Sequence, residues 1–280
     1  MVGSVLTGFG TGLSFVLWGE VYSQLKAKHL EHVAFVQLVI PGFCFVLANL
    51  PYQVNTVVML LCPLFCTFGL LALHIINADK DLFNMEPNSM EISKLPFQIM
   101  LGVLIICFGY GFLQSHTTMQ LDSNQINELS VYISYLVAAC IALFILNRSN
   151  DPNFTNSLRF ISSLLILGYL FFPLRQSELI NLLSNIVINS GFFLLEYLII
   201  IVCGSIAKYR NASPALIFAS VRLTVSGSIL VGMFTPLAFG WAFPNLLTGP
   251  IYNQIVAVVF VLILGIIDIE SVSSHVEACM

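Results

Sequence analysis

Residues 183–207 read LSNIVINSGFFLLEYLIIIVCGSIA, an unbroken run with a single charged side chain, Glu196, inside it. Coiled into an α-helix at about 1.5 Å per residue, such a run outreaches the ~30 Å hydrocarbon layer of a bilayer. The rest of the chain has the same texture: 58% of its 280 residues are apolar and 9% are charged, and the mean hydropathy is +0.93. A soluble domain carries about 25% charged residues. So few charges cannot cover the surface of a 30.9 kDa globule in water, whereas lipid asks only that backbone hydrogen bonds close within the chain. The sequence therefore predicts an all-α fold, a polytopic transmembrane helical bundle surrounded by lipid.

Windows of about 19 to 20 residues place about nine spans, at roughly 3–25, 32–50, 54–76, 97–115, 129–147, 158–173, 183–207, 215–236 and 250–268. The sixth is boxed in by Arg159 and Pro173. Basic residues set the orientation, because Lys and Arg are retained on the cytoplasmic side during insertion. Loops after odd-numbered spans hold Lys26, Lys28, Lys80, Lys94, Arg148, Arg159, Lys208 and Arg210, while loops after even-numbered spans hold only Arg175. The chain is thus expected to begin outside and end in the cytoplasm, as a multi-pass protein of a bacterial inner membrane. Its organisation divides into three spans (1–76), a linker (77–96), six spans (97–268) and a cytoplasmic tail (269–280). The linker carries Asp79, Asp81, Glu86 and Glu91 against Lys80 and Lys94. In two-half transporters a long cytoplasmic connection joins six-helix halves, and this loop fits that place; an ordinary solvated loop fits the same residues.

Small residues at four-residue spacing let helices approach closely in lipid. Gly8 and Gly12 form such a pair in the first span, and Ser220, Thr224, Ser228 and Gly232 continue the device along the eighth. Charges inside spans cost several kcal/mol unless they find a partner or a water-filled cavity. Glu196, Arg222 and, nearer an end, Glu20 are the three that bear on function. Counted from the same end of the bundle, Glu196 lies about twelve residues deep and Arg222 about eight, a difference of about 6 Å that an arginine side chain can bridge. The two are expected to pair, either as a tie between helices or as part of a solute, ion or proton site. Glu20, two residues after Trp18, is expected to reach interfacial water.

Other chemistry is excluded. The net charge of −4 offers no basic patch for nucleic acid. His29, His32, His74, His116 and His275 are scattered, the seven cysteines form no C-x-x-C pair, and no metal or cofactor is expected. No G-x-S-x-G, S-x-x-K or P-loop occurs, so no catalytic residue is assigned and the chain is not read as an enzyme. Three N-glycosylation sequons, at Asn147, Asn153 and Asn211, fall in loops assigned to the cytoplasm and should carry no sugar.

Three stretches carry a family resemblance: GFGTGLSFVLWGE (8–20), FGYGFLQS (108–115) and SPALIFASVR (213–222). They resemble the fourth, seventh and eleventh spans of the twelve-span, major-facilitator-like membrane moiety of LuxR-type regulators of gut Actinobacteria. In that group a cytoplasmic helix-turn-helix domain follows the last span. The resemblance implies three further spans ahead of residue 1 and a DNA-binding domain beyond residue 280. By itself the chain would bind the lipid bilayer and an unidentified small-molecule ligand, but not DNA. The expected function is the membrane sensor module of such a regulator; the alternative is a secondary transporter for a small solute.

Overall fold

The computed structural model describes residues 2–25, 27–48, 97–120, 124–148, 154–171, 178–209 and 213–242, with isolated helical positions at Val54, Val57, Leu61, Phe68 and Val258. Among these every element is an α-helix. In chain order they are α1 (Val2–Gln24), α2 (Ala27–Ala48), α3 (Phe97–Gln120), α4 (Asn124–Arg148), α5 (Phe154–Phe171), α6 (Glu178–Tyr209) and α7 (Pro214–Ala242). These seven helices cover seven of the nine expected intervals to within a few residues at most ends. The intervals 54–76 and 250–268, the linker 77–96 and the tail 269–280 lie outside the described residues.

α6 forms the axis. Its apolar residues surround it, it is buried along most of its length apart from Leu179 and Leu183 near its start, and it packs against all six other described helices. Phe192 to Leu195, Leu198 to Ile200, and Val202 to Gly204 are buried without interruption. Pairs along its length fix the directions of its neighbours. Tyr110 and Gln114 of α3 meet Phe192 and Asn189, while Leu165 and Gly168 of α5 meet Gly191 and Ile188, so both helices run antiparallel to α6. Leu30, near the start of α2, sits on Gly204. Lys208 Nζ donates to the Leu25 carbonyl at 3.2 Å, capping the end of α1 beside the end of α6. The closely joined pairs α1–α2 and α5–α6 thus reverse direction, as short connections require.

Two seams hold the helices closest. Between α3 and α7 the backbones nearly touch: a Cβ on Gly232 would run into the Phe108 carbonyl, and one on Gly111 into the Ile229 carbonyl. Between α4 and α6, Ser130, Ser134, Ala138 and Ala142 form a fully buried line of small side chains at four-residue spacing. Ser134 Oγ donates to the Ile186 carbonyl at 3.2 Å, and Ser190 Oγ donates to the Ser134 carbonyl at 3.1 Å.

Two expectations change. Among the described residues a close approach is seen at Gly232, with Ser228 buried beside it, whereas a Cβ on Gly8 or Gly12 would meet no described atom within 4 Å. Spacing permits a close approach, but only a neighbour on that face produces one. The count of nine crossings also narrows: among the described residues, two helices are long and apolar enough to cross a membrane, over Leu179–Lys208 and Pro214–Phe239. Met100–Ser115 and Leu129–Phe144 are shorter apolar stretches.

The glycine contrast is measurable. Gly232→Leu or Gly111→Leu forces backbone apart from backbone, and should destabilise the purified chain by about 1–3 kcal/mol. Gly8→Ala and Gly12→Ala should be neutral or stabilising by up to about 1 kcal/mol, since alanine is the better helix former. Thermal unfolding midpoints of the four variants check both halves; equal losses at all four would overturn the assignment of the seam.

Candidate functional site

Glu196 lies near the middle of α6, and Arg222 two turns into α7. Arg222 Nη1 stands 3.3 Å from Glu196 Oε1, an ion pair and hydrogen bond in one. Helical register helps bring the two together: Arg222 lies one turn after Phe218, whose ring packs on Phe15 and Tyr22 of α1, and Glu196 lies one turn after the buried Phe192. The guanidinium carbon also sits 5.1 Å from the centroid of the Phe15 ring, a cation–π contact that holds it on the α1 side.

The pair is not sealed in. The Arg222 side chain is 31% exposed and that of Glu196 34%, and both lie on the wall of a cavity of about 200 Å³. α2 supplies Ala34, Gln37, Leu38 and Pro41; α4 supplies Tyr135; α6 supplies Phe193, Tyr197 and Ile200 beside Glu196. Tyr135 and Phe193 stack face to face, 3.7 Å between centroids and 8° between planes, which stiffens that wall. Gln37 Nε2 donates to the Tyr22 hydroxyl, tying α2 to α1 on one side. Pro41 lies inside α2 and has no amide hydrogen to give the carbonyl four residues back, that of Gln37. The cavity therefore combines one cation, one anion, one side-chain amide and several apolar surfaces.

A second polar group lies farther along α6, away from the cavity. Gln114 Nε2 donates to Asn189 Oδ1 at 2.8 Å, joining α3 to α6. Ser184 Oγ donates to the Gly168 carbonyl at 3.2 Å, joining α5 to α6. Asn181, Asn185 and Asn189 repeat every fourth residue and are all buried. This arrangement distributes hydrogen bonds between helices and encloses no described cavity.

Of the residues singled out from sequence, the structure brings Glu196 and Arg222 together. Glu20 is half-buried farther along α1 and does not line the cavity; its backbone carbonyl accepts from Ser23 Oγ at 2.7 Å. Sequence reasoning missed the α2 wall, because Gln37 and Pro41 sit inside an apolar run with no charge to draw attention. A polar residue four positions before an intrahelical proline was the signal that could have found them. It also missed the Ser130-Ser134-Ala138-Ala142 line, although its spacing was of the kind recognised in α7.

No protein-family model matches the chain, and neither a curated protein nor a solved structure is significantly similar to it.

Breaking an ion pair from one side strands the other charge, whereas removing both leaves nothing uncompensated. Glu196→Gln and Arg222→Gln should each cost about 1–2 kcal/mol, below the range for fully buried pairs because the cavity reaches a third of each side chain. The double variant should cost less than the sum of the two. A double-mutant cycle on unfolding free energies tests this, and strict additivity would show that the pair carries no coupling.

Proposed function

We propose that the chain is a polytopic helical bundle of a bacterial inner membrane whose Glu196–Arg222 cavity holds a small solute. One observation carries this reading: a charge pair open to a cavity in the middle of an otherwise apolar bundle. Charges placed among apolar helices are costly, and where they persist they mark ligand or ion sites. Lipid as the solvent is supported by the outward surface of α7, where Leu223 is 75% exposed and Trp241 93%, with Leu230, Val231, Phe234, Leu237 and Phe239 between them. Soluble monomers rarely leave so continuous an apolar face to water. Nine crossings, an outside start and a cytoplasmic end remain the arrangement that the apolar windows and the placement of Lys and Arg favour.

Within this reading, the bundle serves as the membrane sensor module of a LuxR-type regulator. Solute occupancy would bias the packing of α1, α2 and α7 around α6, and an output domain on the cytoplasmic side would read that bias. The resemblance of residues 8–20, 108–115 and 213–222 supports this output. The second reading, a secondary transporter, is favoured by the position of the cavity: Glu196 falls close to the middle of α6, and transporters bind their solutes near the bilayer midplane.

The two readings and their shared premise are separable by measurement. With the seven native cysteines replaced by alanine, Arg175→Cys should be labelled by an impermeant maleimide from outside intact cells, and Lys26→Cys and Arg210→Cys only after permeabilisation. Labelling of position 26 or 210 from outside would overturn the orientation. In proteoliposomes, solute accumulation that disappears in Glu196→Gln would establish transport; saturable binding without accumulation is the outcome expected of a sensor.

A further inference from the structure

The cavity's chemistry is specific enough to name a ligand class, given the reading of it as a solute site. We infer that it takes a small zwitterion with an apolar side group, the class to which the aliphatic α-amino acids belong.

The argument begins with charge. The wall carries one guanidinium and one carboxylate, so the site is neutral overall. A ligand with a net charge would bring an unbalanced charge among apolar helices, where desolvation is costly. A ligand without charges would displace water from both ionised groups and return nothing of equal strength. A zwitterion aligned head to tail with the pair avoids both penalties, because each of its charges faces the opposite one.

Donors and acceptors point the same way. A guanidinium offers five N–H donors, and the contact with Glu196 engages Nη1 with Oε1. The rest of the fork can receive a carboxylate, in the two-pronged geometry for which arginine is suited. Glu196 and Gln37 line the same wall, and a carboxylate and a side-chain amide oxygen are both acceptors. They suit an ammonium, which carries three donors and no acceptor.

Size and shape complete the assignment. At about 200 Å³ the space falls below the ~300 Å³ at which pockets for drug-sized molecules begin. Leu38, Ile200 and the Phe193 ring supply apolar surface for a short side group.

The test uses the full chain in lipid nanodiscs and isothermal titration calorimetry with three probes: L-leucine, its methyl ester (a cation) and its N-acetyl derivative (an anion). Leucine should bind saturably, with each derivative weaker by about tenfold or more, the loss expected for one charge-assisted hydrogen bond. The double variant Glu196→Gln/Arg222→Gln leaves no stranded charge and so separates folding from recognition. It should keep its unfolding midpoint and lose leucine affinity by about tenfold or more. If the ester or the N-acetyl compound binds as tightly as leucine and the double variant abolishes that binding, the zwitterion class falls and the cavity reading stands. If binding survives the double variant, or no probe binds, both fall.

Discussion

Everything in this bundle is arranged around the burial of one helix. α6 packs against all six other described helices, so each polar atom that it buries calls for a partner on a neighbour. In a medium without water an unsatisfied group costs several kcal/mol. The first half of the helix answers this demand in part with amide and hydroxyl groups: Asn189 takes a hydrogen bond from α3, Ser190 gives one to α4, and Ser184 gives one to α5, while Asn181 Oδ1 is buried with no described partner. Its middle presents Phe192 and Phe193 to tyrosines on two different helices, with stacked centroids 3.9 Å and 3.7 Å apart. Only then comes Glu196, whose partner arrives from α7. Residues at successive positions of one helix thus assign each neighbour its place.

Close packing elsewhere explains where the cavity falls. α3 and α7 approach until Gly111 and Gly232 lie against facing carbonyls, and α4 settles onto α6 through a line of serines and alanines. Those seams are closed by backbone and small side chains. The remaining boundary, where α1 and α2 meet α6 and α7, is built from large or irregular side chains, among them Phe15, Gln37, Pro41 and Tyr197. A dry cavity of about 200 Å³ would cost on the order of 5 kcal/mol at ~24 cal/mol per Å³. Ionised walls change that balance, because water or a polar solute can occupy the space and hydrogen-bond to them.

The sequence made the helices legible and left much of their contacts obscure. Length and apolarity placed seven helical intervals because helix formation in an apolar run is a local matter. Register arithmetic also worked for Glu196 and Arg222, since depth along two adjacent helices depends only on rise per residue. Contacts that need knowledge of a third element were less accessible. Gly8 and Gly12 carry the same spacing as Ser228 and Gly232, yet among the described residues only the second pair has a helix against it. Gln37 becomes notable only when α2 is seen to lie beside α6, and Tyr135 only when its ring is seen to cover Phe193. Periodicity reports what a face could do, whereas the partner that uses it is a property of the whole arrangement.

The ion pair itself is a compromise between stability and access. Two charges withdrawn fully from water lose hydration that their mutual attraction often fails to restore, so an apolar pair of similar volume would frequently be the more stable choice. Keeping a third of each side chain open to the cavity lowers that cost. It also leaves both groups with unused hydrogen-bonding capacity. The Phe15 ring holds the guanidinium from the α1 side, so Arg222 is positioned even when Glu196 turns to another partner. A solute that engages both charges would bridge α2, α6 and α7. Binding energy at this point would therefore act on helix arrangement, which both sensing and transport require.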